Sequence, residues 1–325
     1  MLVDKHVTLA TMSRLRLVRA AGVEQFGGPE VLTIIEVPAQ PLGSNEVRLR
    51  VHAATVNPTD TMLRAGDYLQ YYPDEPLPWV PGMEVAGEVV EVGADVTHLR
   101  VGEVAMGVVA PHGAYREEIV MPGNSVVPAP RGVDAVAAAT VPMNGLTAWA
   151  ALRALDLRPG QVLGVTGAAG CFGGYMVQLG KAAGLTVVAD ASPSDEELVR
   201  GLGADFVVRR GGDVADRFRE QVPTGVDGLA DGSVQGELVL GAVKEGGGIA
   251  TVRNYVGPDE RGLRYFPILV NAVAEEREAL DGLRRKVEDG ILTPRVAQTF
   301  PAEEAAQAHR MLEGGGVRGR IVLTF

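Results

Sequence analysis

Val165-Thr-Gly167-Ala-Ala-Gly170-Cys-Phe-Gly173-Gly174 is the stretch whose reading decides the fold. Before it stands Val162-Leu-Gly-Val-Thr166, a short apolar run of the kind found in strands buried on both faces. After it, Phe172, Met176, Leu179 and Ala183 recur at i, i+4, i+7 and i+11, one face of an amphipathic helix. Strand, glycine turn and helix in that order form the context of a dinucleotide fingerprint. Glycines let the chain turn sharply and bring backbone N–H groups close to a pyrophosphate, while the helix N-terminus adds partial positive charge. The spacing is Gly-x-x-Gly-x-x-Gly rather than Gly-x-Gly-x-x-Gly. A tight strand–helix turn without a ligand is the plainer alternative, and the surrounding pattern favours the dinucleotide.

Outward from this segment the pattern repeats. Leu185-Thr-Val-Val-Ala189, Phe206-Val-Val208 and Ile249-Ala-Thr-Val252 are further short apolar runs, with helical stretches between them. Alternation of this kind predicts a doubly wound parallel sheet over residues 136–267. A long helix is expected over 270–289, another over 302–313, and a last strand over Arg320–Phe325. Upstream, Val31–Val37, Glu46–Val51 and Gly87–Val92 are β-branched and strand-length, separated by turns at Gly27-Gly28-Pro29, Pro41-Leu-Gly43 and Gly93-Ala-Asp95. They predict a compact barrel-like β domain from Leu15 to about Val127. The first twelve residues show no period and are expected to be a leader, with Met12 as an alternative start.

Composition narrows the function. The chain has 325 residues, 46% hydrophobic, and 30 basic against 41 acidic residues give a formal charge of −11. Such a chain is expected to fold as two domains. No export signal, membrane span or disorder is expected, and the setting is read as cytoplasmic. An acidic balance with scattered basic residues argues against nucleic acid and membrane partners. The one cysteine, Cys171, rules out an internal disulfide framework and a zinc site of several thiolates. It stands in the glycine turn, where a small residue fits; the helix N-terminus also makes a redox role conceivable. The five histidines are scattered without metal-ligand spacing, and His309 is read as structural.

Ala54-Thr-Val-Asn-Pro-Thr-Asp60, Val80-Pro-Gly-Met-Glu-Val-Ala-Gly-Glu-Val-Val-Glu-Val-Gly93, Gly145-Leu-Thr-Ala-Trp149, Thr166-Gly-Ala-Ala-Gly170 and Phe300-Pro-Ala-Glu-Glu-Ala-Ala-Gln-Ala-His309 occur in an informative order. Together they resemble the medium-chain dehydrogenase/reductase superfamily, in its zinc-independent quinone oxidoreductase (zeta-crystallin-like) branch. The resemblance runs from about residue 20 to the C-terminus. It implies an α/β protein: a GroES-like β-barrel catalytic domain over residues 1–135, completed by 268–325, with a Rossmann cofactor domain over 136–267 inserted near its end, usually as a homodimer. Gly262-Leu-Arg-Tyr-Phe-Pro-Ile268 could pair as an edge strand across that dimer. Zinc-dependent relatives use a Cys ahead of the Asp60 position and a Gly-His-Glu triplet. Here Pro58 and Thr59 precede Asp60 and Met83 replaces the His, so no metal is expected.

Site residues follow from the resemblance and from the residues themselves. Asn57, Pro58 and Asp60 suit an N-cap, first and third helical position, and would start a helix unaided. The matching Asn and Asp in the family face nicotinamide and substrate, so both readings stand. Tyr68 matches a substrate-facing Tyr, and with Tyr71, Tyr72 and Trp79 it either stacks on a flat ring or donates to a carbonyl; a loop packing its own aromatics is the alternative. Catalytic candidates are therefore Asn57, Asp60 and Tyr68. Cofactor candidates are Thr147, Gly167, Ala168, Ala169, Gly170, Cys171, Phe172, Gly173, Ser192, Arg210 and Asn254, with helix-packing and turn roles as the alternatives for Thr147 and Asn254. The cofactor is expected to be NADPH, with NADH open. Ser194-Asp-Glu-Glu197 opens the next helix with carboxylates, Asp195 stands where the family often has Lys, and Asp190 ends the strand before it. Arg209, Arg210 and Ser192 are the groups that would favour a 2′-phosphate. The expected reaction is hydride transfer from NADPH to a quinone or α,β-unsaturated carbonyl. An enoyl-thioester reductase and a non-catalytic dinucleotide-binding protein are the rivals.

Overall fold

Residues 16–71 and 73–325 are described by a computed structural model of the chain. The leader, with Met12, and Tyr72 lie outside the described residues. Two sheets organise the rest. The first is antiparallel for most of its extent and runs through β3 (Glu46–Val56), β4 (Glu84–Val92), β5 (Val104–Val108) and β7 (Val126–Pro128), with β6 (Glu118–Pro122) paired to β3. A hairpin of β1 (Leu17–Gly22) and β2 (Thr33–Pro38) adds to this half. Inward side chains of these strands, among them Val47, Leu49, Val51, Val85 and Val89, form one core with the fully buried Trp79 and Tyr115.

The second sheet is parallel throughout, with β8 (Val162–Thr166), β9 (Thr186–Ala191), β10 (Phe206–Arg209), β11 (Val226–Asp231), β12 (Val243–Thr251) and β13 (Arg264–Pro267). Its spatial order is β10-β9-β8-β11-β12-β13, so the chain reverses direction across the sheet between β8 and β11. A crevice for a dinucleotide opens at the carboxyl ends of strands at such a reversal. The segment 264–267, expected to reach towards a second chain, is the edge strand of this sheet, hydrogen-bonded to β12.

The chain passes from the first sheet to the second through α2 (Ala135–Ala138) and α3 (Pro142–Leu155), after α1 (Pro58–Ala65) has linked β3 to β4. Helices α4 (Cys171–Ala182), α5 (Glu196–Gly201) and α6 (Val214–Gln221) connect strands of the parallel sheet, α7 (Arg277–Glu288) leads back from it, and α8 (Ala305–Glu313) precedes the last strand. The fingerprint helix α4 is buried from Gly173 to Gly180, not on one face only, because α3 covers the side away from the sheet. Residues 135–155 are long and apolar enough to cross a membrane, contrary to the sequence expectation, but more than half of that stretch is buried inside the protein. The long helix expected from 270 begins at 277. Val270–Val273 forms a separate 3-10 turn that buries Val270, and a bend follows, after which Leu280, Leu283 and Val287 face the core. The chain then returns to the antiparallel sheet through β14 (Val296–Pro301) and β15 (Arg320–Thr324), and β15 pairs with β3.

Candidate active site

The corner between β3 and α1 is built as its sequence suggests, with one change. Asn57 is extended, Pro58 opens the helix, and Asp60 Oδ2 accepts the Asn57 backbone N–H at 2.7 Å. The change is that the Asn57 side chain, besides its part in this capping box, bonds outside the helix. Its Oδ1 accepts from the Arg320 guanidinium at 2.5 Å, and its Nδ2 lies 3.3 Å from Thr55 Oγ1. The β3–β15 register, with Val56 opposite Ile321, is what brings Arg320 beside Asn57. Arg320 also pairs with Glu84, and donates to Thr55 Oγ1 at 2.6 Å. Glu84 further accepts from Thr55 and, at 2.8 Å, from the Met143 backbone N–H. One donor of this buried arginine, Nε, has no partner.

Asp60 is just as enclosed. Gly82 N donates to its Oδ1 at 2.9 Å, and the Tyr115 hydroxyl donates to Oδ2 at 3.1 Å. Burial pushes this carboxyl up to about 6, against the pull of those donors and of Arg320. Tyr115 also sits 3.3 Å from His309 Nε2. Burial, with a smaller push from Arg64, holds the His309 imidazole down to about 3, so it is neutral at pH 7. A zinc site takes thiolate, imidazole or free carboxylate donors. The wall here offers an amide at Asn57, a thioether at Met83 and a Glu84 carboxylate already occupied by three donors. These residues do not fit zinc, and among the described residues no three His, Cys, Asp or Glu side chains converge on a point.

Above this floor lies a cavity of about 590 Å³, within the range of small-molecule sites. Asn57, Asp60, Tyr68, Thr147, Phe172 and Asn254 all line it, so the structure gathers all three catalytic candidates and three of the cofactor candidates at one place. Met83, Met143, Val252, Ile268 and Leu269 supply apolar wall. Thr147 Oγ1 is engaged with Met143 O at 2.7 Å. Tyr71 lines the cavity too, whereas Trp79 does not: it is buried in the barrel core, edge-on to Phe26, and donates to Glu75 O. Sequence reasoning passed over Asn144, Arg253, Asn271 and Arg320, which also line the cavity. Asn144 Nδ2 is a buried donor without a partner.

The glycine turn lies at one side of this cavity, reaching it at Phe172 and at Gly232, which packs on Gly167. Gly167 has φ +68°, and a Cβ at Gly173 would stand 2.3 Å from Gly167 O. Only glycine permits this approach of helix to turn. The carbonyls of Ala169 and Gly170 are held by Arg295 at 3.1 and 2.7 Å, and the first helical amides, at Cys171, Phe172 and Gly173, have no acceptor within the helix. A backbone braced by its carbonyls and left with free amides fits a diphosphate. Burial pushes the Cys171 thiol up, which disfavours a reactive thiolate.

Near the carboxyl end of β9, Asp190 Oδ1 accepts from Gly167 N at 2.7 Å. Ser192, expected to meet a phosphate, instead donates to Asp195 at 2.5 Å. Asp195 is gripped by Arg318 through two bonds, at 2.6 and 2.7 Å, and these hold its carboxyl below the usual range. Arg210 is exposed and close enough to bear on both Asp190 and Asp195.

Comparison with known proteins agrees with this geometry. Residues 43–131 match the alcohol dehydrogenase GroES-like domain, and residues 202–323 match the zinc-binding dehydrogenase domain. A quinone oxidoreductase of Pseudomonas aeruginosa is 33% identical over 92% of this chain and 97% of its own. A 2-haloacrylate reductase of a Burkholderia species is 32% identical over 94% and 99%. The solved quinone oxidoreductase of Coxiella burnetii superposes with a TM-score of 0.84 at 28% identity, covering 95% of this chain and all of that one. A nicotinamide dinucleotide is thus the cofactor class, and a small molecule the substrate class. The chain belongs to the medium-chain dehydrogenase/reductase superfamily, in its quinone oxidoreductase branch.

Proposed function

We propose that this protein transfers a hydride from NADPH to a quinone or another α,β-unsaturated carbonyl. The observation that carries the reading is the close-packed glycine turn beside a cavity whose walls are largely apolar. The bound dinucleotide supplies the hydride. The chain's own work is to hold the partners together away from water, which is the main source of rate in such a site. Met83, Met143, Phe172 and Leu269 exclude water from the acceptor's flat face. Asn57, fixed by Arg320, and Tyr68 present polar groups to the acceptor oxygen, where negative charge develops. Asp60 positions the corner, bonded to Asn57, Gly82 and Tyr115. The activities named for relatives, on quinones and on a haloacrylate, support an electron-poor conjugated acceptor.

For the adenosine phosphate, Arg210 is the exposed cation, and Arg318 is already paired with Asp195. One observation favours NADH as a second reading: Asp190 stands about 20 residues beyond Gly170, where a Rossmann carboxylate accepts a ribose hydroxyl. Fluorescence titration with both cofactors at low salt separates the two. Oxidation of the bound cofactor at 340 nm by a panel of a quinone, an enone and a crotonyl thioester tests the reaction. Tight cofactor binding with no acceptor reduced would overturn the proposal and leave a dinucleotide-binding protein; preference for the thioester would favour the enoyl reductase.

A further inference from the structure

Among the described residues, five that are not glycine have positive φ, and three of them, Val234 (56°), Arg253 (63°) and Asn254 (59°), line the active-site cavity. Left-handed backbone is costly for a residue that bears a side chain, and such strain collects at ligand sites. Arg253 is the most informative of the three. It is exposed at the cavity mouth, directly after β12, and its guanidinium makes no hydrogen bond or ion pair with any described residue. The other cation lining the cavity, Arg320, is already neutralised by Glu84. The lining carboxylates are Asp60, enclosed in its own bonds, and Asp67 on the opposite loop. Asn144 Nδ2 and Arg320 Nε are buried donors without partners in the same walls. The exposed rim combines Val234, Leu269 and Tyr71 with Asp67, Gln70, Asn254 and Asn271, so Arg253 is its one exposed cation among the described residues.

We infer that the natural acceptor is a conjugated carbonyl compound that also carries a carboxylate, and that Arg253 recognises this group. The inference rests on the reading of the cavity as the hydride-acceptor site. In the reaction the hydride adds to the β-carbon and a proton from water adds to the α-carbon. The C=C double bond becomes single, NADPH becomes NADP⁺, and the carboxylate is unchanged throughout. A guanidinium–carboxylate pair orients the acceptor and distinguishes it from its uncharged ester.

The test compares 4-oxopent-2-enoate with its methyl ester, which loses the charge but gains a methyl group and a more electron-poor double bond, so the acid/ester ratio of wild type is read against that of Arg253→Gln, Arg253→Lys and Arg253→Gly. The expected wild-type preference for the acid is on the order of 10-fold or more in kcat/KM, expressed in KM. Gln and Gly abolish the preference and Lys keeps part of it. The saturated acid, 4-oxopentanoate, binds wild type at least about 10-fold more tightly than it binds Arg253→Gln, measured by competition without turnover. Arg253→Gly relieves the backbone strain, and its melting temperature shows that the fold is kept. Equal use of acid and ester by wild type, or a preference that survives Arg253→Gln, would overturn the inference. A loss of cofactor affinity equal to the loss of acid preference would assign Arg253 to the dinucleotide and also overturn it. Reduction of neither compound, nor of any quinone, would instead refute the hydride-transfer reading beneath it.

Discussion

Two glycines in the fingerprint turn differ sharply in what they tolerate, and the difference can be measured. A Cβ on Gly173 would lie 2.3 Å from Gly167 O, 2.7 Å from Gly167 C and 2.8 Å from Ala168 Cα, all backbone atoms. Ordinary contact begins near 3.4 Å, so the Gly167–Ala168 peptide must retreat by about 1 Å. Overpacking of this size costs about 1–3 kcal/mol of stability, or several degrees in Tm. The same movement displaces the amides that face the diphosphate; losing two charge-assisted bonds would weaken cofactor binding about 100-fold. On Gly170, whose φ is −73°, a Cβ would meet only Gly167 O, at 3.1 Å. Gly170→Ala should therefore change Kd by no more than about 3-fold and stability by about 0.5 kcal/mol. Fluorescence titration with NADPH and NADH, alongside thermal melts of both variants, is the assay. A Gly173→Ala protein that binds like wild type, or a Gly170→Ala protein equally damaged, would refute the account of the turn.

Other perturbations follow from the same geometry. Asp195→Asn should release Arg318 from its bidentate pair and raise the preference for NADPH over NADH about 10-fold; an unchanged ratio of dissociation constants would place Arg318 away from the 2′-phosphate. Arg295→Ala removes the brace on the Ala169 and Gly170 carbonyls and should weaken both cofactors about equally, by roughly 5–30-fold; titration that shows no loss would mean the turn holds its shape alone. The buried His309, held down to about 3, contributes stability that is lost as pH falls below about 6.5, at about 1.4 kcal/mol per pH unit. Asp60, pushed up to about 6, works the other way: its contribution is present below about pH 4 and is lost as pH rises through 6. The two oppose each other between about pH 4 and 6, so wild-type stability should change little there on their account. Asp60→Asn should unmask a fall in stability as pH drops from 6.5 to 4.5; urea melts showing a flat profile for the variant would contradict the pairing.

What the sequence reveals and what it hides divide along physical lines. The run Val162–Thr166 and the glycine turn announce a strand and a helix because local sterics and burial both act there. The strand β11 is hidden because Asp227 interrupts its apolar pattern; that carboxylate is used by Val162 N, Gln161 and Lys244 on neighbouring segments. The sequence shows β12 only at Ile249–Val252; the strand begins at Val243 and runs through Gly248, where Leu155 and Phe266 fill the space a side chain would need. The helix α4 shows a single apolar face in sequence, but its small residues are buried as well, against α3. In the site, Asn57 and Asp60 are legible because they also start a helix. Arg320 is not, since only the pairing of β15 with β3 carries it to Asn57. Ser192 and Asp195 lie close together in sequence, but their roles depend on Arg318, more than a hundred residues away.

The most direct test follows the hydride itself. NADPH or NADH doubly deuterated at nicotinamide C4 is mixed with the protein and an enone, and the product is examined by mass spectrometry and NMR. The account predicts one deuterium per product molecule, on the β-carbon, with the cofactor oxidised in equal amount. Unlabelled product, or a cofactor that stays bound and reduced while the enone is recovered unchanged, would contradict it.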